Sequence, residues 1–151
     1  MEDWRRIDID VYYPESRISE EELKPYAKPV SLEEIQIKAQ QIRSLLSKGS
    51  FIDALAYAID EPPFGGDAQT KELHLKSVVD ILTAVKQSEI SSIVKQLTID
   101  QQDILVKYLY KAMGSKIGQQ QGGIILSWFD KTVEITGNGP IVRYISDRNT
   151  V

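Results

Sequence analysis

The sequence predicts an all-α fold, and three observations carry that prediction. Two capping boxes open apolar runs, those runs repeat at helical spacing, and no segment after residue 30 alternates in the way a half-buried strand does. About seven helices result, stacked as antiparallel hairpins in an irregular bundle or short solenoid, because short links favour antiparallel neighbours. Residues 1–30 read as an extended acidic arm and residues 31–151 as the helical body. With 151 residues, 42% of them hydrophobic, the chain is long enough for one domain with a real core.

The arm carries eight acids (Glu2, Asp3, Asp8, Asp10, Glu15, Glu20, Glu21, Glu22) against five bases (Arg5, Arg6, Arg17, Lys24, Lys28). Pro14, Pro25 and Pro29 bias their predecessors toward extended backbone and remove donors, which argues against a long helix. Within it, Trp4, Ile7, Ile9, Val11, Tyr12 and Tyr13 alternate in part with Asp8 and Asp10. An extended segment of this kind is read as lying in a partner's groove or beside an edge strand, the alternative being that it folds back on the chain's own core.

Ser31-Leu32-Glu33-Glu34 is the first capping box, followed by Ile35, Ala39, Ile42, Leu45 and Leu46 to about Lys48. Gly49 ends that helix in a left-handed turn, Ser50 can cap the next, and Phe51, Ala54, Leu55, Ala58 and Ile59 form its stripe. The link is so short that the two helices form a tight hairpin or corner. Glu61 to Asp67, with Pro62-Pro63 and Gly65-Gly66, is a loop; Asp67 caps a third, long helix bearing Leu75, Val78, Val79, Leu82 and Val85.

Ser88 starts a short helix with Ile90, Ile93, Val94 and Leu97. Thr98-Ile99-Asp100-Gln101 is the second capping box, and Gly114 or Gly118 closes the helix it opens. Gly122-Gly123 weakens helix after Gln119-Gln120-Gln121, and Ile124, Ile125, Trp128, Phe129 and Val133 restore the stripe up to Thr136. Pro140 suits the first turn of a last helix with Ile141, Val142 and Ile145, after which residues 147–151 read as a short polar tail. Tyr108, Tyr110, Trp128 and Tyr144 lie in or beside the stripes and are expected to pack in the core.

Reactive chemistry is hard to assemble. There is no cysteine and a single histidine, His74, which sits on a helix without a second ligand type nearby and reads as structural. Asp8-Ile9-Asp10 fails as a calcium loop: counted from Asp8, Tyr13 stands where the turn needs Gly and Ser19 where a bidentate Glu belongs. Neither Gly65-Gly66 nor Gly122-Gly123 has the Lys and Ser/Thr of a phosphate loop, and both read as helix breaks. The 18 basic and 22 acidic residues nearly cancel, with no basic-aromatic run, so no nucleic-acid partner is expected. Charges interrupt every apolar segment, which predicts no membrane insertion, and the absence of cysteines and of an apolar leader predicts a cytoplasmic protein. No cofactor, no metal and no enzymatic activity are expected.

Several blocks together resemble subunit 5 of the actin-related protein 2/3 complex, over nearly the whole chain. They are Arg5-Arg6-Ile7-Asp8-Ile9-Asp10-Val11-Tyr12 with the acidic Glu20-Glu21-Glu22; Gly49 to Ala58 leading to Pro62-Pro63; Asp103 to Ala112; Ile125-Leu126-Ser127-Trp128; and Gly139-Pro140-Ile141-Val142-Arg143 through Thr150-Val151. Phe129 after the tryptophan and the glutamine run depart from the animal pattern and suggest a divergent, fungal member. The resemblance implies a non-catalytic scaffold subunit of a hetero-oligomer on the actin cytoskeleton, supporting filament nucleation and branching. Its body would dock on subunit 4, while its arm would reach propeller subunit 1 and help tether actin-related protein 2. Ile7, Ile9 and Tyr12 are then the candidate arm anchors, with Asp8 and Asp10 setting register by charge. The alternative is an autonomous helical-repeat adaptor that captures peptide segments in a concave groove.

Overall fold

A computed structural model describes residues 22, 23 and 25–151; the arm candidates Ile7, Asp8, Ile9, Asp10 and Tyr12 lie outside the described residues. Among these residues every regular element is helical. In chain order they are α1 (Leu32–Ser47), α2 (Phe51–Ile59), α3 (Ala68–Ala84), α4 (Ile90–Gln96), α5 (Ile99–Met113), α6 (Lys116–Gln119), α7 (Gly122–Thr136) and α8 (Gly139–Ser146).

Local chemistry accounts for most of the boundaries. Both capping boxes form: Ser31 and Glu34 exchange side-chain and backbone hydrogen bonds, and Thr98 and Gln101 do the same, so each closes two of the donors a helix start leaves open. Asp67 caps α3 by accepting from the Thr70 amide at 2.7 Å. Gly49, at φ +76°, turns the chain between α1 and α2, a backbone conformation that costs an L side chain energy. At α8, Pro140 occupies the first turn as the sequence predicts.

Four boundaries differ from the sequence reading. Ser50 precedes α2 but makes no side-chain cap bond, and α4 starts behind Glu89, also without one, rather than at Ser88. The chain beyond Gly114 is not a plain link: Ser115 accepts from the Gly118 amide and starts the single turn α6, which adds an eighth helix. Gly122-Gly123 does not break a helix but begins α7, its amides lying in the first turn where an intrahelical partner is not needed. Gly65-Gly66 does lie in a loop, between α2 and α3.

The packing centres on α3. It lies against α1 and α2 on one side and α5, α6 and α7 on the other, and buries His74, Leu75, Ser77, Val78, Val79, Ile81 and Leu82. The core continues through Ala54, Leu55, Ala58 and Ile59 of α2, Leu105, Tyr108 and Leu109 of α5, and Ile125 and Trp128 of α7. Trp128 is fully buried, and its indole Nε1 donates to the Leu82 carbonyl at 3.0 Å. Leu82 stands in the last turn of α3, where carbonyls lack an intrahelical donor, so the indole both fills the core and closes that helix end.

Replacing Trp128 by Phe keeps an aromatic ring but leaves a buried carbonyl without its donor. The expected loss is about 1–3 kcal/mol of folding free energy, measured as a lower urea midpoint at unchanged slope.

Candidate functional site

The titratable residue nominated first by sequence, His74, is wholly buried on α3. Its Nε2 lies 2.9 Å from the Ala58 carbonyl, which fixes the neutral ring as the Nε2–H tautomer donating to that oxygen. The ring meets Tyr108 edge-on at 5.5 Å between centroids. Burial, reinforced by the charge of Lys38, holds its pKa down at about 4. Burial likewise pushes the Tyr108 phenol up. Both groups are therefore neutral near pH 7 and serve the helix interface.

Among the described residues no group of three or more His, Asp or Glu side chains could hold a metal ion. No described helix is long and apolar enough to cross a membrane. An open cleft of about 600 Å³ lies where Leu32, Leu73 and Ile117 meet Glu72 and Lys76; its lining holds a single carboxylate and no hydroxyl or imidazole side chain. What the body presents instead is surface for contact.

The most exposed apolar side chains of the last helix are Val142 and Ile145, three residues apart and so on one face of α8, at 62% and 76% exposure. That helix is held to α5 from its other side. Tyr144 stacks on Tyr110 at 4.5 Å, nearly parallel, and Tyr110 meets Phe129 of α7 edge-on at 5.2 Å. Arg143 forks onto Asp103 of α5 at 2.5 and 2.7 Å. Of the four aromatics expected in the core, Tyr108 and Trp128 are there, whereas Tyr110 and Tyr144 are half-buried and join α5 to α8 at the surface. Leu126 on α7, Ile37 on α1 and Ile99 at the start of α5 are also more than half exposed.

A second feature departs from the sequence reading. Residues 147–151 are not a free polar tail. Lys107, buried on α5, donates to the Asp147 carboxylate and to the Asn149 carbonyl, and its ammonium lies 5.0 Å from the Phe64 ring centre. The hydrogen bond from Lys107 holds the Asp147 carboxyl below the usual range. Lys71 of α3 donates to the carbonyl and hydroxyl of Thr150 at 2.7 and 3.0 Å, and Val151 is buried in the core. A lysine inside an otherwise apolar stripe was the available signal, because a buried ammonium must find an acceptor.

Lys38 of α1 plays a similar part at the other end of α2. It donates to the carbonyls of Asp60 and Glu61, where Glu61 takes a positive φ of +48°. The same ammonium lies 5.4 Å from the centre of the Tyr57 ring.

Comparison with known proteins adds the following. A family model described as "P16-Arc: ARP2/3 complex 16 kDa subunit (p16-Arc)" matches residues 3–151. The chain is 46% identical to "Actin-related protein 2/3 complex subunit 5" of Saccharomyces cerevisiae, over 99% of this chain and 98% of that protein. It is 30% identical to "Actin-related protein 2/3 complex subunit 5-B" of Xenopus laevis and to "Actin-related protein 2/3 complex subunit 5-like protein" of Homo sapiens. Each of those matches covers 98% of this chain and 94% of the relative.

The buried histidine has a pH consequence. Its unfolded pKa is about 6.5 and its native one about 4, so the unfolded state binds the extra proton in between. Stability from this group is complete above pH 6.5 and declines as pH falls toward 4, by roughly 3 kcal/mol in full. Urea midpoints at pH 7.5 and 5.0 should show the decline, and His74→Gln should flatten it relative to the unsubstituted chain.

Proposed function

The chain belongs to the family of the ARP2/3 complex 16 kDa subunit, and on that premise we propose that it is a non-catalytic structural subunit of this complex, supporting nucleation and branching of actin filaments. The observation that carries the reading is the match over residues 3–151, which leaves almost none of the chain outside the family pattern. The location that follows is the cytoplasm, on the actin cytoskeleton.

The physical character of the body supports a binding role. Val142 and Ile145 leave part of α8 apolar and in water, while its other side is bolted to α5 by the tyrosine stack and the Arg143–Asp103 fork. A rigid helix with an uncovered apolar edge suits docking against another subunit. Within the complex, subunit 4 is the proposed partner of the body.

The arm of residues 1–30 is proposed as the tether to propeller subunit 1 and actin-related protein 2. Ile7, Ile9 and Tyr12 anchor it and Asp8 and Asp10 set its register. The supporting observation is their alternation in a proline-broken, net acidic segment. Linking such a segment to a docked body converts its contact into an intramolecular event, so modest anchors suffice. Reactive chemistry is not assigned to this chain; any nucleotide would belong to the actin-related subunits.

The test is assembly with the remaining subunits. Val142→Asp with Ile145→Asp should leave the circular-dichroism spectrum and urea midpoint unchanged but weaken incorporation at least tenfold. Ile7→Ser, Ile9→Ser and Tyr12→Ser together should weaken it by a smaller factor and lower filament nucleation. Undiminished incorporation and nucleation in both variants would refute the reading.

A further inference from the structure

Three stretches far apart in sequence meet at one place on the body: residues 25–30, the loop from Pro62 to Gly65, and residues 147–151. Gly65 is where the first two touch. A Cβ built there would lie 2.2 Å from the Lys28 carbonyl oxygen, 2.7 Å from its carbon and 3.0 Å from the Ala27 carbonyl oxygen. All three atoms are backbone, so only glycine lets the segment lie this close. Phe64, Tyr26, Val30 and Asn149 help line the same groove, of about 540 Å³.

The third stretch is fastened to α3, α5 and the core. Lys107 of α5 holds Asp147 and Asn149, Lys71 of α3 holds Thr150, and Val151 sits in the core. Asp147 also accepts from the Asn149 amide at 2.9 Å, which shapes the turn. From this footing Arg148 Nη1 reaches the carbonyl of Leu23 at 3.4 Å. Lys107 in addition lies over the Phe64 ring, so one buried ammonium touches both the loop and the last residues.

We propose that the Gly65 turn and residues 147–151 form a clamp that grips Leu23 and residues 25–30, and so fixes the point on the body to which the rest of the arm is joined. Residues 147–151 are then a positioning element for residues 25–30. A fixed attachment point raises the effective concentration of any contact the arm makes. This last step rests on the reading of the arm as a tether; the clamp itself does not.

Two variants of the full chain test the clamp. Gly65→Ala sets a methyl group against the Lys28 carbonyl, and the pair Lys107→Met with Asp147→Asn removes both charges while keeping side-chain size. Chymotryptic cleavage after Tyr26 should quicken at least tenfold in each, while amide-exchange protection in α3 and α5 stays as it was. An unchanged cleavage rate in both variants overturns the clamp. Gly65→Ala is then combined with the triple Ile7, Ile9 and Tyr12 to Ser change and scored for incorporation into the complex. Gly65→Ala should weaken incorporation about threefold or more with the arm intact and have no effect without it. An equal effect in both backgrounds overturns the positioning role. Should the triple change by itself do nothing, the tether reading fails, and the cleavage rates still decide the clamp.

Discussion

Everything else in this structure depends on the burial of α3. None of the eight described helices exceeds 17 residues, and isolated helices of that length are marginal in water. Their stability has to come from shared faces, and α3 is the face most of them share. Packed from two sides, it must take the ordinarily polar positions of an amphipathic helix into the core, which is why Thr70, His74 and Ser77 are buried beside Val78 and Leu82. Two of these polar groups and one helix end have specific partners. His74 is held neutral and bonded to Ala58, Ser77 bonds back to the Leu73 carbonyl, and Trp128 closes the buried carbonyl of Leu82.

The same constraint explains how the surface is used. Around α3, the outer helices α1, α4 and α8 keep one side in water, whereas α5 is itself enclosed by α2, α3, α6, α7 and α8. Two lysines work at the margins. Lys38 joins α1 to the end of α2, and Lys107 joins α5 to the end of the chain. Both keep apolar stems inside and bring the ammonium to backbone or carboxylate oxygen. The body that results is fixed in shape, and shape is what a scaffold subunit supplies.

Much of this was legible in the sequence, and the reason is locality. The boxes at Ser31 and Thr98, the Asp67 cap, Gly49 and Pro140 act within four residues, so neighbours in sequence settle them. Ser50 and Ser88 look equally good as caps but make no such bond, because tertiary packing sets those helix starts. The docking of residues 147–151 was hidden for a related reason. Asp147, Arg148, Asn149 and Thr150 read as solvent-loving, and the lysines that hold them lie 40 and 79 residues away. Family membership was legible in spaced blocks, two of which, Asp103–Ala112 and Gly139–Arg143, meet at the α5–α8 junction. The arm residues proposed to contact partners lie outside the described residues, so sequence pattern alone nominates them.

The central claim is that one chain makes two linked contacts, a body that docks and an arm that tethers. The most direct measurement is the affinity of the full chain and of residues 22–151 for a complex lacking this subunit, compared at two salt concentrations. The account predicts that both fragments bind, that the full chain binds about 100-fold or more tightly, and that added salt narrows the gap because the arm is acidic. Equal affinity of the two at low salt would contradict it.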